Sequence, residues 1–480
     1  SPAMPRVLVR DLGGRALELE AAPEAGVAGL KRAVQDAWRI PPRCQVLLLG
    51  AEALGDEALL GGGALELALV VSLSAVCQDL AGSSASEKRG ALAALAELGP
   101  RAGERAVDAT SECLLDGDTG VRIAALRVLA QVAERGNDRA VAAVTGMLAD
   151  VDRGVRCAAV GALAQVSEQG DGSTVAVMAA RLGDSDRRVR LAAVRALAQL
   201  ANVGDGSAIS AVAGRLEDPD GSVRCAAVRA LAEVAEPGDS RALVEVTARL
   251  EHPHHDVRQA AVRALAKVAQ KGDKRAFAAV HERLQHGSSE VRRAAVRAVA
   301  QVAATGDAHA FAAVATHLED GDGGVRAAAA EVLAKVAEER DGSAVAAVAA
   351  RLEHRTPGVR LAAVRALAQL SSAGSAHAVA AASACLRDSD AGVRLAATRA
   401  LVQVADAGDE LAIAAVLPLL EDADGSVRWA SVRAMGQLAR RGDERAVAAV
   451  AARLEDHHGG VRAAAAEALR QLSDVGAEQR

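Results

Sequence analysis

Residues 218–234 read DPDGSVRCAAVRALAEV, and two close copies occupy residues 184–200 (DSDRRVRLAAVRALAQL) and 422–438 (DADGSVRWASVRAMGQL). The arginine of the Val-Arg pair recurs at a constant interval of 34 residues, at Arg122, Arg156, Arg190, Arg224, Arg258, Arg292, Arg326, Arg360, Arg394, Arg428 and Arg462. Lys88 occupies the same place one interval earlier. Self-similarity at a fixed period predicts an array of stacked repeats over residues 72–480.

Each repeat is predicted to be a pair of helices. Residues 239–252 have the pattern of a first helix and residues 257–269 that of a second. In the opening stretch the apolar residues follow one helical face, at Val223, Ala226, Ala227, Ala230, Leu231 and Val234. A Gly-Asp pair recurs between repeats, where glycine ends one helix and aspartate caps the next, at residues 204–205, 238–239, 272–273, 306–307, 408–409 and 442–443. Asp220 is the expected cap of the second helix.

The signature L-x-D-x-D-x-x-V-R-x-A-A resembles HEAT repeats, specifically the short, Ala-rich kind of phycobilisome lyase-like proteins. The resemblance implies a mainly α fold, a right-handed α-solenoid of about twelve HEAT-type helix pairs. Tetratricopeptide repeats share the period, but their Trp, Tyr, Phe and Pro positions are absent here. The resemblance also implies a ladder of bonds from the Val-Arg arginines to Asp116, Asp150, Asp184, Asp218, Asp320, Asp388, Asp422 and Asp456. Weaker or more flexible joints are expected where histidine replaces this aspartate, at His252, His286 and His354.

Residues 5–71 do not follow the period. RVLVRDLGGRALELEA (6–21) predicts two strands around a Gly-Gly turn, and GVAGLKRAVQDAW (26–38) predicts a helix with Val27, Leu30 and Val34 on one face. Two further strand regions follow, in RIPPRCQVLLLGAEAL and GALELALVV. This order resembles the ubiquitin fold, a small α+β (β-grasp) domain, with the family's usual short helix lost between Leu60 and Ala64.

The resemblance to ubiquitin implies a receptor-binding patch at Leu12, Leu48 and Ala68. The last strand continues into the repeats without a free Gly-Gly terminus, so the domain is expected to be built in rather than conjugated. It would dock to a ubiquitin receptor, a ubiquitin ligase or the proteasome. Alternatively, it serves only as a rigidly docked cap on the first repeat, whose helix is predicted at residues 74–80.

Two surface rows on the second helices are candidate binding sites. The apolar row comprises the positions aligned with Cys225, namely Ile123, Cys157, Leu191, Gln259, Arg293, Ala327, Leu361, Leu395 and Trp429. It would either pack adjacent helices laterally or form a ridge for a partner, with Trp429 as its best anchor. The arginine row comprises Arg127, Arg195, Arg229, Arg263, Arg297, Arg365, Arg399 and Arg433, interrupted by Gly161, Glu331 and Glu467. It would either grip an acidic or extended peptide or pair with acidic residues of neighbouring repeats.

Catalytic motifs are not recognisable. The histidines of EHPHHD (251–256) and the pair His457-His458 lack the accompanying cysteines of a zinc site and are expected to be surface residues. His281-Glu282 is the single adjacent His-Glu pair, too few for a HEAT-type di-iron hydroxylase. We therefore expect no enzyme, no metal and no cofactor. Resemblance of fold permits one alternative, a bilin lyase-like enzyme or a chaperone of chromophore attachment.

Composition narrows the setting. The net charge of −6 gives no general attraction to nucleic acid, and the uncharged run from Leu370 to Leu386 is mostly Ala and Ser, too polar to span a membrane. Six cysteines without a C-x-x-C pair favour a reducing compartment, the cytoplasm or nucleus. The chain starts at Ser1, so a targeting segment could precede it. The prediction is a non-catalytic protein-interaction scaffold or adaptor.

Overall fold

The computed structural model describes residues 6–20, 26–58, 65–338 and 342–473. Residues 1–235 and 236–480 form two compact units, which are described separately. The loss of the family's short helix was predicted between Leu60 and Ala64, and this segment lies outside the described residues.

The first unit begins with a mixed sheet. Its strands are β1 Arg6–Asp11, β2 Ala16–Glu20, β3 Gln45–Leu49, β4 Glu52–Ala53 and β5 Leu65–Val71. The order is β2-β1-β5-β3-β4, in which β1 and β5 are parallel and the other neighbours antiparallel. Helix α1 (Gly26–Trp38) covers one face and buries Val27, Leu30 and Val34. The predicted first hairpin and the predicted helix are both confirmed.

The N-terminal domain contacts the first repeat helices, α2 (Ser74–Ala81) and α3 (Ala85–Leu98), through α1 and the short helical turn Pro42–Cys44. Arg43 Nη1 is 2.5 Å from Asp79 Oδ2, and Gln35 Nε2 donates to Glu97 Oε2 at 2.8 Å. Cys44 is buried at this junction, and burial raises the pKa of its thiol to about 11. The contacts are those that a cap would make, while the exact domain boundary after residue 71 stays a prediction.

The rest of the described chain is an α-solenoid of twelve helix pairs, counted over the described residues. In the first unit the helices after α3 are α4 Gly103–Glu112, α5 Thr119–Val132, α6 Asp138–Gly146, α7 Arg153–Val166, α8 Gly172–Arg181, α9 Arg187–Leu200, α10 Gly206–Gly214 and α11 Gly221–Val234. In the second unit they are α12 Ser240–Ala248, α13 His255–Val268, α14 Lys274–Leu284, α15 Ser289–Val302, α16 Ala308–Ala315, α17 Gly323–Val336, α18 Gly342–Ala349, α19 Pro357–Leu370, α20 Ala376–Ala384, α21 Ala391–Val404, α22 Glu410–Val416, α23 Gly425–Leu438, α24 Glu444–Ala451 and α25 Gly459–Ser473.

The glycine between repeats has two roles that explain its recurrence. Gly204 has φ of 85°, a backbone conformation that other residues rarely adopt, and its N–H donates to Val234 O at 2.8 Å. Asp205 then caps α10 by accepting from Ser207 N and Ala208 N. The other predicted Gly-Asp pairs do the same, and Asp220 caps α11 as predicted.

The core stripe of the second helices differs from the prediction at one position in α11. Most of the predicted residues are buried, but Ala226 is only half-buried and Val228 is buried in addition. Ala226 lines a surface groove between α9 and α11 instead of the core. The helical pattern predicted Ala226 as a core residue because alanine is apolar, but alanine is also small enough to lie at the surface beside the buried stripe.

An ion-pair ladder joins consecutive repeats within each unit. Arg156, for example, donates through Nε and Nη2 to both carboxylate oxygens of Asp184 at 2.8 and 3.0 Å, and through Nη1 to Asp150 O at 3.0 Å. All eight expected aspartates are paired with the basic residue 28 positions earlier, in Lys88–Asp116, Arg122–Asp150, Arg156–Asp184, Arg190–Asp218, Arg292–Asp320, Arg360–Asp388, Arg394–Asp422 and Arg428–Asp456. Lys88 therefore belongs to the stack.

Histidine replaces only part of what the ladder aspartate does. Each aspartate also accepts a bond from the backbone N–H two residues later, as Asp184 does from Asp186 N at 2.8 Å. His286 keeps this turn bond through Nδ1, which accepts from Ser288 N at 3.0 Å. Arg258 pairs instead with Glu290, at 2.5 Å. The turn therefore survives the replacement, and the greater flexibility predicted for these joints stays a prediction.

Candidate protein-binding surface

Helical geometry places the two predicted rows on one face of the second helices, because residues four apart lie one above the other. Leu191 is half-buried on α9 and Arg195, one turn later, is exposed. The same contrast holds for Leu395 and Arg399 on α21. Every predicted member of the arginine row is exposed, whereas Ile123, Cys157, Leu191, Leu361, Leu395 and Trp429 of the apolar row are half-buried.

The apolar row packs laterally onto the next repeat while keeping part of its surface open. Cys157 Sγ donates to Arg188 O at 3.9 Å, in the first turn of the following second helix. A Cβ added to Gly460 would lie 3.9 Å from Trp429 Cδ1. Both alternatives for this row therefore have support, since its side chains contact the neighbouring repeat and remain accessible at the surface.

The arginine row does not pair with acidic residues in the part of the chain that the structure describes. None of its members forms an ion pair or a side-chain hydrogen bond there. The best-defined contact is a cation–π interaction, in which Arg433 Cζ lies 4.9 Å from the centroid of the Trp429 ring. These guanidinium groups are therefore available to a ligand.

Trp429 and Arg433 line a groove of about 320 Å³ between α21 and α23. Arg399 and Gln403 of α21 and Gln437 of α23 also line the groove. The predicted aromatic anchor and two predicted arginines thus meet at one site. Apolar carbon from Trp429, two guanidinium groups and two amides give it both a hydrophobic wall and hydrogen-bond donors.

Three further grooves carry most of the other predicted residues. One of about 170 Å³ between α19 and α21 includes Arg365, Leu395 and Arg399. One of about 640 Å³ between α9 and α11 in the first unit includes Leu191, Arg195, Cys225 and Arg229. One of about 310 Å³ contains Arg263, Arg293 and Arg297 beside the carboxylates of Glu290 and Glu331. Leu361 is half-buried on α19 outside these four grooves.

The sequence analysis missed a third row, of glutamines. One turn beyond the arginine row the aligned residue is glutamine in most repeats, and Glu233, Lys267 and Lys335 interrupt the row. Gln199, Gln369, Gln403 and Gln437 are exposed and line the grooves. Their recurrence at the repeat interval was the available signal. An amide offers both a donor and an acceptor, which suits a peptide backbone.

Two of the three residues predicted to form a receptor-binding patch are neighbours on the N-terminal sheet. Leu48 of β3 stands directly opposite Ala68 of β5, and both are half-buried on the face away from the Leu47 and Leu67 core. Leu12, in the turn after β1, is 83% exposed.

The described residues were also searched for metal-binding groups, disulfides and membrane-spanning helices. No group of three or more His, Cys, Asp or Glu residues there could hold a metal ion. His252 and His254 lie with ring centroids 5.5 Å apart, and His252 Nδ1 accepts from His254 N. All six cysteines are free thiols. Among these residues no helix has the length and apolarity to cross a bilayer.

Comparison with protein families identifies the repeats. The model of HEAT repeats matches residues 108–198, 147–216, 175–249, 245–334, 311–402, 344–436 and 379–470. The chain therefore belongs to the HEAT-repeat family. A comparison with curated protein sequences finds no match.

Solved structures with a similar fold include the karyopherin Kap121p in several complexes. Kap121p bound to the extreme C-terminus of the protein phosphatase Cdc14p aligns at 13% identity and a TM-score of 0.55, over 84% of this chain and 50% of that one. Kap121p bound to Ste12p aligns at 13% identity and a TM-score of 0.54, over 83% of this chain and 48% of that one. Kap121p bound to the SUMO protease Ulp1p aligns at 12% identity and a TM-score of 0.54, over 84% of this chain and 49% of that one. The chain thus spans about half the length of these solenoids, and the likeness concerns the fold alone.

Proposed function

We propose that this chain is a non-catalytic scaffold that holds a protein partner on the exposed face of its second helices. The observation that carries the proposal is the arginine row, whose guanidinium groups have no acidic partner among the described residues and line grooves beside half-buried apolar side chains. A partner that fills these grooves would supply the missing carboxylates and cover the open part of the apolar row.

A protein partner fits this surface better than a nucleic acid. Single strands bind by stacking their bases on aromatic side chains, and the chain has only two Trp, two Phe and no Tyr. Its net charge of −6 opposes non-specific attraction to phosphate. Kap121p, a solenoid of the same fold, was solved bound to the extreme C-terminus of Cdc14p, to Ste12p and to Ulp1p, which is consistent with partner binding by such a fold.

The test is a pull-down with the immobilised full chain and two surface variants, Trp429→Ala and Arg433→Glu. A matched control is Arg445→Glu, which makes the same charge change on the first helix α24, where Arg445 is exposed. We expect captured proteins to be lost with both surface variants and retained with the control, while the helical circular dichroism of all three stays unchanged. Identical capture by all variants would contradict the proposal.

We further propose that the N-terminal domain is ubiquitin-like and that its patch of Leu12, Leu48 and Ala68 docks to a ubiquitin receptor, a ubiquitin ligase or the proteasome. The strand order β2-β1-β5-β3-β4 and the direct pairing of Leu48 with Ala68 support this assignment. The contacts of Arg43 with α2 equally support a role as a cap on the solenoid.

The two roles of this domain are separable by binding to an isolated ubiquitin-receptor domain. Leu48→Ala should weaken binding, whereas Leu115→Ala, which removes an 82% exposed leucine of the solenoid, should not. Equal binding by the two variants leaves the capping role alone.

The six free thiols support a reducing compartment, the cytoplasm or nucleus. Nothing among the described residues favours a bilin lyase.

A further inference from the structure

One stretch of the arginine row is longer and more uniform than the rest of the row in the second unit. Arg365, Arg399 and Arg433 stand on three consecutive second helices, α19, α21 and α23, without interruption. Glu331 replaces arginine in the repeat before and Glu467 in the repeat after. The positive stretch therefore has defined ends, which limits the length of a complementary ligand to the width of three repeats.

The glutamine row runs beside the same three arginines. Gln369, Gln403 and Gln437 are exposed, and none of their side chains forms a hydrogen bond within the described residues. Each repeat therefore offers one guanidinium, which binds a carboxylate in bidentate geometry, and one amide, which can pair with the C=O and N–H of a peptide group. A ligand that satisfies both must bring acidic side chains and an accessible backbone.

Spacing selects the conformation of that ligand. Packed helices are about 8 to 10 Å apart, so successive arginines of the row repeat at about that distance. A polyproline II helix rises about 3.1 Å per residue with three residues per turn, which brings every third side chain to the same face at about 9.3 Å. A β-strand alternates its faces at every residue, so the residue three positions along would point away from the row. The polyproline II backbone also leaves its peptide groups free for the amides.

Trp429 adds a flat apolar surface at one end of the stretch. Its ring contacts the Arg433 guanidinium on one side and lines the groove that holds Arg399. Aromatic side chains in grooves are the usual docking surface for proline-rich segments. A proline ring between two acidic residues would lie against this indole.

We infer that Arg365, Arg399 and Arg433, with the glutamine row and Trp429, bind an acidic peptide segment in the polyproline II conformation that carries a carboxylate at every third residue. The inference rests on the proposed scaffold function and specifies its partner. Three arginines at two intervals correspond to about seven residues of peptide.

The test uses the full chain and fluorescein-labelled peptides in a fluorescence-anisotropy titration at low salt. The probe is Glu-Pro-Pro-Glu-Pro-Pro-Glu. One comparison peptide has the same composition with its glutamates adjacent, and a second has lysine in place of glutamate. Two chain variants accompany them, Arg399→Glu in the middle of the row and Arg387→Glu as a matched control. Arg387 is exposed in the turn after the first helix α20 and lines none of the grooves.

We expect the spaced peptide to bind about tenfold more tightly than the clustered one, and Arg399→Glu to weaken it by about tenfold or more. The Arg387→Glu chain should bind within about twofold of the native chain. Equal affinity for the two acidic peptides, tighter binding of the lysine peptide, or equal effects of the two variants would overturn the inference. In those cases the pull-down with Trp429→Ala still decides the scaffold function separately, because it does not require the partner to be this peptide.

Discussion

The most informative perturbation of this solenoid is removal of one guanidinium from the ladder, in Arg428→Ala. Arg428 is buried, and its Nε and Nη2 donate to the two carboxylate oxygens of Asp456 at 2.8 and 3.0 Å. Its Nη1 donates to Asp422 O at 2.8 Å. Without Arg428, the carboxylate of Asp456 stays in a site where its side chain is only 2% exposed, with the N–H of His458 as a remaining donor.

The size of the effect follows from that burial. Breaking a buried ion pair from one side typically costs about 3 to 5 kcal/mol, because an uncompensated charge remains. This pair joins the repeat of α23 to the repeat of α24 and α25, so its loss should loosen the stacking of α25. Amide protection of α25 should therefore fall by roughly a hundredfold to a few thousandfold.

Native-state hydrogen exchange read by mass spectrometry measures this opening repeat by repeat. The control is Arg462→Ala, since Arg462 makes the same backbone bonds, to Asp456 O at 2.7 Å and His457 O at 3.2 Å, but no ion pair among the described residues. Its removal should cost about 1 kcal/mol. The reasoning is refuted if the two variants lower the protection of α25 equally.

Three further predictions concern single residues of the repeats. Arg428 lowers the pKa of Asp456 from 3.8 to about 2. The stabilisation by this ion pair is therefore complete above about pH 5 and disappears as pH falls through about 2. The extra amide protection of α25 in the native chain relative to the Arg428→Ala chain should shrink across that window and stay constant at higher pH. His317, buried with Nε2 2.8 Å from Leu284 O, fills a position that arginine holds in other repeats, so His317→Arg should change the free energy of unfolding little while His317→Ala lowers it by about 1 to 3 kcal/mol in urea denaturation. Gly272 has φ of 82° and room for a side chain. Gly272→Ala should therefore lower the free energy of unfolding by about 1 to 2 kcal/mol in urea denaturation, and Gly272→Asn should lower it measurably less. Equal losses would contradict the conformational explanation.

The repeat architecture was predictable because each of its causes is local and recurs. The glycine with positive φ, the aspartate cap and the apolar stripe each act within one helix pair, so a single copy such as residues 204–234 contains the rule for all. The ladder of bonds to the aspartates was expected from the resemblance to HEAT repeats, and the constant period explains why each partner lies the same number of residues earlier.

The binding surface was less predictable because its residues obey no packing rule. Whether Arg433 pairs with a neighbour or stays open depends on side-chain directions that the period does not determine, and the structure is needed to show that Trp429 is its contact. The glutamine row was overlooked because exposed glutamine on a helix is ordinary composition until its neighbours in the groove are known.

Arg428 and Arg433 show why the stack and the binding surface can vary independently. They are five residues apart on α23, so at 3.6 residues per turn they point in directions about 140° apart. One is buried and bonded to Asp456, and the other is exposed over Trp429. Substitutions in the arginine row should therefore alter binding without loosening the solenoid, whereas ladder substitutions should loosen it even when no partner is present. The comparison of Arg433→Glu with Arg428→Ala tests this separation directly, since the first should leave the exchange of α25 within about twofold of the native chain.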